Sequence, residues 1–214
     1  MLYRFVFIIF APLIVLPCLK LFNRVEITGL EHLPPEGPVV VVANHISSWD
    51  PAILYALIRR RAYFMAKAEL FRVPLLGFIL RRINAFPVKR DAIDRAALRR
   101  AAQILEEGHV LVIFPEGHRS KTGELLPFKQ GAALFAHRAK AAVIPVLFET
   151  TKRAIPWPIG KRIRATFGGP LDLAVFMEKK ADSALLEQMT DAFRQGILQL
   201  KGATDRPELP GRIT

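Results

Sequence analysis

The feature that most constrains the fold is a run of four consecutive valines, Val39 to Val42. A half-exposed strand alternates apolar and polar residues, whereas a continuous β-branched run is typical of a strand buried on both faces. Strands of this kind occur in parallel sheets, whose neighbouring strands are joined by crossover connections that are usually helices. The valine run therefore predicts an α/β fold in which helices cover both faces of a sheet.

Strand and helix patterns alternate along the rest of the chain. Further strands are predicted at residues 24–30, 110–114, 143–149 and 162–167. Helices are predicted from Asp50-Pro51 to residue 61, from 91 to 107, from Gly131 to Lys140 and from Ser183 to Lys201. We expect Asp91 to cap the second helix and Gly108 to lie just past its end. A chain of 214 residues is long enough for one substantial core, so we expect a single α/β domain with a largely parallel central sheet flanked by helices.

The amino-terminal segment has a different composition. No charged residue occurs from Phe5 to Leu19, and Arg4 and Lys20 bracket the run. As a helix this run would span roughly 22 Å, less than a hydrocarbon core of about 30 Å, and its two prolines would interrupt it. A cleaved signal peptide and a buried helix are the alternatives, but no small-residue cleavage site follows. We expect residues 1–22 to form a membrane-associating segment and residues 23–214 to form the folded domain.

The charge of the chain indicates an anionic partner. Lys and Arg number 31 against 19 Asp and Glu, a formal net charge of +12. Nucleic acid and an anionic membrane are the usual candidates, and the apolar first segment favours the membrane. No nucleic-acid motif is present, so we expect the cytoplasmic face of the inner membrane and no nucleic acid. The single cysteine, Cys18, excludes an internal disulfide, and the five histidines show no zinc-site spacing, so no metal is expected.

The segment NHISSWD places an imidazole, His45, five positions before a carboxylate, Asp50. On a helix these side chains would point about 140° apart, so only a turn could bring them together. Such a contact would fix the tautomer of His45 and support its action as a general base. Alternatively, Asp50 precedes Pro51 as a helix N-cap and His45 is an ordinary loop residue. The two roles of Asp50 are compatible.

The segment FPEGHRS follows the predicted strand at 110–114 and contains Glu116, Gly117 and Arg119. His45 and Glu116 each follow a predicted strand, so both could face the crevice at the carboxyl ends of the strands. Lys129 precedes the helix predicted at Gly131, whose free backbone N–H groups would suit a phosphate. Arg90 follows another apolar stretch and could add a guanidinium. Each basic residue taken alone is equally explained as a surface charge.

These segments together resemble a known family. NHISSWD resembles the His-x4-Asp block of the glycerolipid acyltransferases, and FPEGHRS resembles their FPEG-x-R-S block. KAELFRVPLLGFILRRINAFPVKR, PFKQGAALFA and VIPV are similar to the remaining blocks, in order from Gly37 to Val146. Within the family the likeness is greatest to bacterial 1-acylglycerol-3-phosphate acyltransferases. His118 stands where threonine is commoner and Asn84 where glycine is usual, which bears on the acceptor more than on the reaction.

The resemblance implies acyl transfer to a lysophospholipid. His45 would deprotonate the acceptor hydroxyl, and Asp50 would orient His45. The acceptor's phosphate-glycerol pocket would be shaped by Arg90, Glu116, Gly117, Arg119 and Lys129. The donor would be acyl-CoA or acyl-carrier protein, with no permanently bound cofactor, and the product would be phosphatidic acid.

Three rival functions remain open at this point. The first is an acyltransferase for glycerol-3-phosphate, a lyso-ornithine lipid or another lysolipid. The second is a non-enzymatic basic module on a membrane or nucleic acid. The third is a serine hydrolase of lipids, which the absence of a G-x-S-x-G elbow from the sequence disfavours.

Overall fold

The computed structural model of the protein describes residues 24–89, 94–149 and 162–204. Its strands are β1 (Arg24–Thr28), β2 (Val39–Ala43), β3 (Ala62–Lys67), β4 (Ala85–Val88), β5 (Val110–Ile113), β6 (Ala142–Glu149) and β7 (Arg162–Phe167). Its helices are α1 (Asp50–Leu57), α2 (Pro74–Arg82), α3 (Arg95–Glu106), α4 (Gly131–Arg138), α5 (Ala174–Met177) and α6 (Ser183–Thr204). Short 3-10 helices occur at Leu30–His32 and Ala68–Arg72. The membrane-associating segment predicted at 1–22 and the predicted phosphate ligand Arg90 lie outside the described residues.

The strands form one sheet in the order β1-β7-β6-β2-β5-β3-β4. Every neighbouring pair is parallel except β6 and β7, which are antiparallel. Strands β6 and β7 are consecutive in the chain, and consecutive antiparallel strands need no crossover connection. The prediction of an α/β fold with a largely parallel sheet is confirmed. Within the described ranges, no helix is both long enough and apolar enough to cross a membrane.

Strand β2 lies in the interior of the sheet, and its four valines are fully buried. Successive side chains of a strand point to opposite faces, so the run supplies both halves of the core. Val39 and Val41 pack with α1 on one face, and Val40 and Val42 pack with α3, α4 and α6 on the other. The continuous β-branched run is therefore explained by helices on both sides of the strand.

Several element boundaries differ from the predictions. Helix α1 ends at Leu57 rather than at residue 61. The chain becomes extended at Ile58, and the Arg60 guanidinium then donates to the carbonyl oxygens of Pro34 and Gly108 at 2.6 and 2.7 Å. The prediction that Asp91 caps the helix expected at 91–107 is wrong: this helix is α3, and its N-cap is Asp94, which accepts hydrogen bonds from the N–H groups of the first turn.

The turn between α2 and β4 explains the unusual residue at position 84. Asn84 has a φ of 57°, in the left-handed region that glycine adopts without strain and asparagine tolerates better than most residues. Its side-chain amide also donates to the carbonyl oxygen of Ala62 at 3.2 Å. The departure from glycine at this position therefore preserves the backbone conformation that a glycine would permit.

A buried asparagine extends the contact between β2 and β6 beyond the ladder. The Asn44 amide nitrogen donates to the carbonyl oxygen of Phe148 at 2.9 Å, and the Phe148 N–H donates to the Asn44 Oδ1 at 2.6 Å. The Asn44 side chain thus makes the pair of hydrogen bonds that a backbone residue would make in the ladder, immediately before His45. It fixes the direction in which the chain leaves β2.

Replacing Asn44 with alanine is expected to lower the free energy of unfolding by about 2–4 kcal/mol, because it leaves a buried N–H and a buried carbonyl of Phe148 without these partners. Denaturant unfolding monitored by circular dichroism would measure the change. The matched control is Gln103→Ala on the exposed surface of α3, which should change stability by about 0.5 kcal/mol at most. An Asn44→Ala protein as stable as that control would contradict the assigned role.

Candidate active site

The two motifs meet because the strands that precede them are neighbours. Strands β2 and β5 are parallel and adjacent, with Val42 opposite Ile113. Parallel strands end at the same edge of the sheet, so the residues that follow each strand emerge side by side. His45 follows β2, and Glu116 follows β5.

His45 and Asp50 are in direct contact. The His45 Nδ1 lies 3.0 Å from the Asp50 Oδ2, and the Asp50 side chain is fully buried. The same oxygen accepts the backbone N–H groups of Ile46 and Ser47, each at 2.8 Å. A carboxylate oxygen fixed by two backbone donors requires Nδ1 to carry a proton, which leaves Nε2 as the nitrogen that can take a proton from a substrate. The His45 side chain is 15% exposed, so solvent and ligands can reach it.

The alternative in which Asp50 caps the first long helix does not match the structure. Asp50 is the first residue of α1, and the N-cap position is occupied by Trp49, which makes no side-chain capping bond. The Asp50 carboxylate reaches back to the turn that precedes it. Its hydrogen bonds therefore organise the turn that carries His45.

The FPEGHRS segment holds the backbone of His45 from both sides. The His45 N–H donates to the Glu116 Oε1 at 2.8 Å, and the Ser120 N–H donates to the His45 carbonyl oxygen at 2.8 Å. The second carboxylate oxygen of Glu116 accepts the Leu126 N–H at 3.1 Å, which ties the following loop to the same side chain. Glu116 is 1% exposed. The second motif therefore fixes the position of His45, which belongs to the first.

The Glu116 carboxyl has a perturbed acidity. Burial raises its pKa above the ordinary value of 4.5, while the hydrogen bonds from the His45 and Leu126 N–H groups and the charges of His45 and His118 act in the opposite direction. A buried carboxyl in this position is a structural bridge between the two motifs. The sequence indicated that Glu116 lies at the site, but not that its side chain is buried.

Replacing Glu116 with glutamine is expected to lower the free energy of unfolding by about 1–3 kcal/mol at pH 7. Glutamine has one acceptor oxygen, so either His45 or Leu126 would point its N–H at another donor. Because His45 would lose its fixed position, we also expect any reaction that depends on His45 to slow. Denaturant unfolding and initial rates would measure both effects. Glu124→Gln, at an exposed carboxyl of the same loop, is the control, and equal stability of the two variants would contradict the bridge.

The raised pKa of Glu116 also predicts a pH dependence. Between the unfolded pKa and the higher folded pKa, the folded state binds more protons than the unfolded state. The contribution of the Glu116 carboxyl to the free energy of unfolding is therefore complete below pH 4.5, and it is lost as pH rises through the pKa of the folded state. We expect the stability difference between wild type and Glu116→Gln to be largest at low pH and to shrink toward neutrality. Thermal unfolding of both proteins across that range tests the sign, and a difference that grows with pH would refute it.

Three further residues contribute to the site without having been predicted. The Phe114 ring stacks on the His45 ring, with centroids 4.3 Å apart and planes 28° apart. Ser48 accepts a hydrogen bond from the Arg119 guanidinium at 2.6 Å, and Ser120 holds the His45 carbonyl. The sequence signal that could have found Phe114 is its position as the first residue of the FPEGHRS motif.

The cationic side chains of the site belong to Arg119 and Lys129, and Gly117 leaves room for the lysine. Gly117 has a φ of 74°, and a Cβ at this position would lie 3.1 Å from Cε and 3.4 Å from Nζ of Lys129. Glycine is therefore required both by the turn and by the passage of the lysine side chain. The Lys129 N–H donates to the Pro115 carbonyl at 2.9 Å. His118 and Arg119 are exposed at the same turn.

The described residues thus bring together all of the predicted site residues except Arg90. The His45–Asp50 pair lies in the first motif, Arg119 of the second motif contacts Ser48 of the first, and Lys129 lies against Gly117, so the joined motifs carry two cationic side chains that could attract an anion. In the described ranges, no group of three or more His, Cys, Asp or Glu side chains is placed to hold a metal ion. The arrangement is suited to activating a hydroxyl group near a phosphate.

The chain is similar to proteins of known activity. A family model described as "Acyltransferase" matches residues 24–149. The 1-acyl-sn-glycerol-3-phosphate acyltransferase of Bacillus subtilis is 30% identical over 190 residues, covering 88% of this chain and 94% of that protein. The mouse (Mus musculus) 1-acyl-sn-glycerol-3-phosphate acyltransferase alpha is 36% identical over 130 residues, covering 59% of this chain and 46% of that protein.

A solved structure supports the same relationship. The crystal structure of the 1-acyl-sn-glycerophosphate acyltransferase of Thermotoga maritima matches with a TM-score of 0.65 and 26% identity, covering 85% of this chain and 74% of that one. The chain therefore spans nearly the whole Bacillus subtilis relative and less than half of the mouse protein. Because the family model covers more than half of its length, the chain belongs to the acyltransferase family.

Proposed function

We propose that this protein transfers a fatty acyl group from acyl-CoA or acyl-carrier protein to the free hydroxyl of 1-acylglycerol-3-phosphate, giving phosphatidic acid. The observation that carries the proposal is the position of the His45–Asp50 pair beside the cations Arg119 and Lys129. A lysophosphatidate acceptor has a hydroxyl group that the His45–Asp50 pair would deprotonate and a phosphate that the two cations would bind. The names of relatives from Bacillus subtilis, Borreliella burgdorferi and mouse support this choice.

In the proposed reaction, Nε2 of His45 takes the proton of the acceptor hydroxyl as its oxygen attacks the thioester carbonyl carbon. Asp50 stabilises the imidazolium through Nδ1. Backbone N–H groups near the two motifs stabilise the tetrahedral oxyanion. When this intermediate collapses, the carbon–sulfur bond breaks and the leaving thiolate takes the proton from His45. The products are phosphatidic acid and a free thiol, and the histidine returns to its starting state.

Direct transfer is favoured over an acyl-enzyme intermediate. Ser47 Oγ accepts the Trp49 N–H at 3.2 Å, and Ser48 Oγ accepts the Arg119 guanidinium. Both hydroxyl groups therefore serve the turn and the contact between the motifs. This arrangement leaves the acceptor hydroxyl as the group that His45 activates.

The residues predicted to shape the acceptor pocket divide into two kinds. Arg119 and Lys129 carry the charges that would bind phosphate, next to the first turn of α4, whose N-cap residue Gln130 makes no side-chain capping bond. Glu116 and Gly117 would shape the pocket through the backbone and side chains they position. The phosphate-binding role of Arg90 remains a prediction from the resemblance.

The cellular setting is part of the proposal. We infer that residues 1–22 associate with a membrane, that residues 23–214 form the acyltransferase domain, and that the enzyme acts at the cytoplasmic face of the inner membrane. The net charge of +12 supports attraction to an anionic leaflet. Nucleic acid is not an expected partner.

The test is acyl transfer by the purified full-length protein to a panel of acceptors with one acyl donor. We expect lysophosphatidate to give the highest kcat/KM and phosphatidic acid as the product. Repeating the reaction with acyl-CoA and acyl-carrier protein identifies the donor. Release of free fatty acid without an acceptor would instead indicate a hydrolase. His118 stands on the exposed turn of the second motif where threonine is commoner in the family, so the panel includes glycerol-3-phosphate and lyso-ornithine lipid. Selective use of either compound would reassign the acceptor.

A further inference from the structure

An exposed apolar surface lies on the segment that joins β3 to β4. Leu75 is 72% exposed and Phe78 is 49% exposed, although both sit on a well-formed helix. Within the described ranges, most of the exposed large apolar side chains belong to this one segment. We call them the docking face: Leu70, Val73, Leu75, Leu76, Phe78 and Ile79. Single exposed apolar residues are ordinary on a protein surface, whereas a contiguous group of this kind marks an interaction site.

The outward orientation of this face is built into the packing of α2. Gly77 is the buried residue of the helix, and a Cβ there would lie 2.5 Å from the Phe71 carbonyl oxygen. The helix therefore rests on the Ala68–Arg72 turn through its glycine, while Phe71 and Leu80 pack against the core. Positions 75, 76, 78 and 79 share the opposite side. These residues are exposed because the helix packs through the side that carries Gly77, which can approach the Phe71 backbone most closely.

Basic side chains surround the docking face. Lys67, Arg72, Arg81 and Arg82 flank it, and the Arg82 guanidinium lies over the Phe78 ring at 4.4 Å from the centroid. Glu69 is the acidic residue of the segment, and Lys67 lies 3.7 Å from its carboxylate. An apolar helix face bordered by Lys and Arg is the pattern of helices that lie in the plane of an anionic bilayer. The charge complementarity favours lipid headgroups over a neutral protein surface.

The docking face begins at the edge of the sheet that carries the active site. Strand β3 is parallel to β5, so it ends at the same edge as β2 and β5. The Ala68–Arg72 turn follows β3 there, and α2 follows the turn. We propose that the docking face of the Ala68–Arg82 segment binds an anionic phospholipid bilayer as a second membrane contact, separate from residues 1–22, and holds the His45 edge of the sheet against the lipid surface. The proposal rests on the proposed function only in taking the acceptor to be a lipid of that bilayer.

Vesicle binding by the full-length protein tests the contact. We expect the double variant Leu75→Glu/Phe78→Glu to partition about tenfold or more weakly into phosphatidylcholine–phosphatidylglycerol vesicles, because two apolar side chains lose their burial in lipid. Arg81→Gln should weaken binding about fivefold on anionic vesicles and little on pure phosphatidylcholine. Val175→Glu is the matched control, since Val175 is an exposed apolar residue on another helix. If the double variant and the control partition alike, the proposal is overturned.

A fluorescent probe on the face identifies what covers it. Ile79→Cys in a Cys18→Ser background gives one labelling site for an environment-sensitive fluorophore, because the chain has a single cysteine. We expect a water-like emission in buffer, a blue shift on adding anionic vesicles, and no shift for a probe at Val175→Cys. A blue-shifted probe before vesicles are added would overturn the proposal. It would mean that residues 1–23 or a second copy of the chain occupy the surface.

Activity on two acceptors separates this proposal from the enzymatic one. A short-chain lysophosphatidate that dissolves as monomers does not require docking, whereas a long-chain acceptor in vesicles does. We expect Leu75→Glu/Phe78→Glu to lose about tenfold on the embedded acceptor and to keep wild-type turnover on the soluble one. Equal losses on both would indicate structural damage and overturn the docking role. If the wild type acylates neither acceptor, the proposed function fails, and the vesicle and probe measurements still decide whether the face docks.

Discussion

Replacing His45 with alanine is expected to lower kcat/KM for acyl transfer by about a thousandfold or more, because general-base catalysis by a positioned imidazole contributes about 10²–10⁴. In the proposed mechanism, His45 is the group on which the reaction depends. Its Nδ1 is engaged by Asp50, its ring is stacked on Phe114, and its backbone is held by Glu116 and Ser120. Initial rates with saturating donor and varied lysophosphatidate would measure the loss.

The fold should survive the same substitution. Asp50 keeps its two backbone donors when the imidazole is removed, so we expect a stability loss of about 1 kcal/mol. His109→Ala is the matched control: His109 is partly buried and stacks on Tyr63, and it precedes β5 at the opposite edge of the sheet from the site. That variant should retain near-wild-type activity. A folded His45→Ala protein with more than about a tenth of wild-type turnover would exclude His45 as the base.

Replacing Asp50 with asparagine is expected to lower kcat by about 10³–10⁴, by analogy with the orienting carboxylate of hydrolase triads. An amide oxygen can accept the Ile46 and Ser47 N–H groups, but it is neutral and cannot balance the charge of the imidazolium. If the amide turns its nitrogen inward, it presents a donor to Nδ1 and forces the wrong tautomer. In either orientation the proton transfer loses its support.

The stability cost of Asp50→Asn should be about 2–3 kcal/mol, since three hydrogen bonds to a buried carboxylate become neutral ones. Denaturant unfolding would give this value alongside the kinetic one. Asp182→Asn is the matched control: Asp182 directly precedes α6 and accepts the Leu185 N–H through Oδ1 at 2.8 Å, and asparagine caps a helix as well as aspartate does, so both stability and rate should be retained. An Asp50→Asn enzyme that loses stability but keeps its kcat would assign Asp50 to folding alone.

The central strands were predictable because their environment leaves a strong pattern. The four valines of β2 contact helices on both faces, and no polar residue interrupts them. The β3–α2–β4 region was missed for identifiable reasons. Pro87 argues against a strand, yet β4 is the last strand of the sheet, where proline is tolerated. The apolar residues of α2 face outward, so the usual inference from an apolar stripe to a buried face gives the wrong side.

The site was predictable in its components and less so in its connections. The contact between His45 and Asp50 follows from a turn, and the short spacing indicated it. The contacts that hold the His45 backbone join residues 71 positions apart and depend on the β2–β5 register. No local pattern contains that register. For the same reason the sequence did not indicate that the Glu116 side chain is buried and accepts hydrogen bonds from two backbone N–H groups.

The hydrogen bonds that join Glu116 and Ser120 to the His45 backbone depend on the order in which the chain is made. The base is in place only after residues 116 and 120 have been synthesised and have paired across the sheet with a segment made much earlier. Pairing of this kind is non-local and forms late in folding. A nascent or partly folded chain can therefore contain His45 and Asp50 without the contacts that fix the His45 backbone. The placement of His45 therefore requires the completed pairing of β2 with β5.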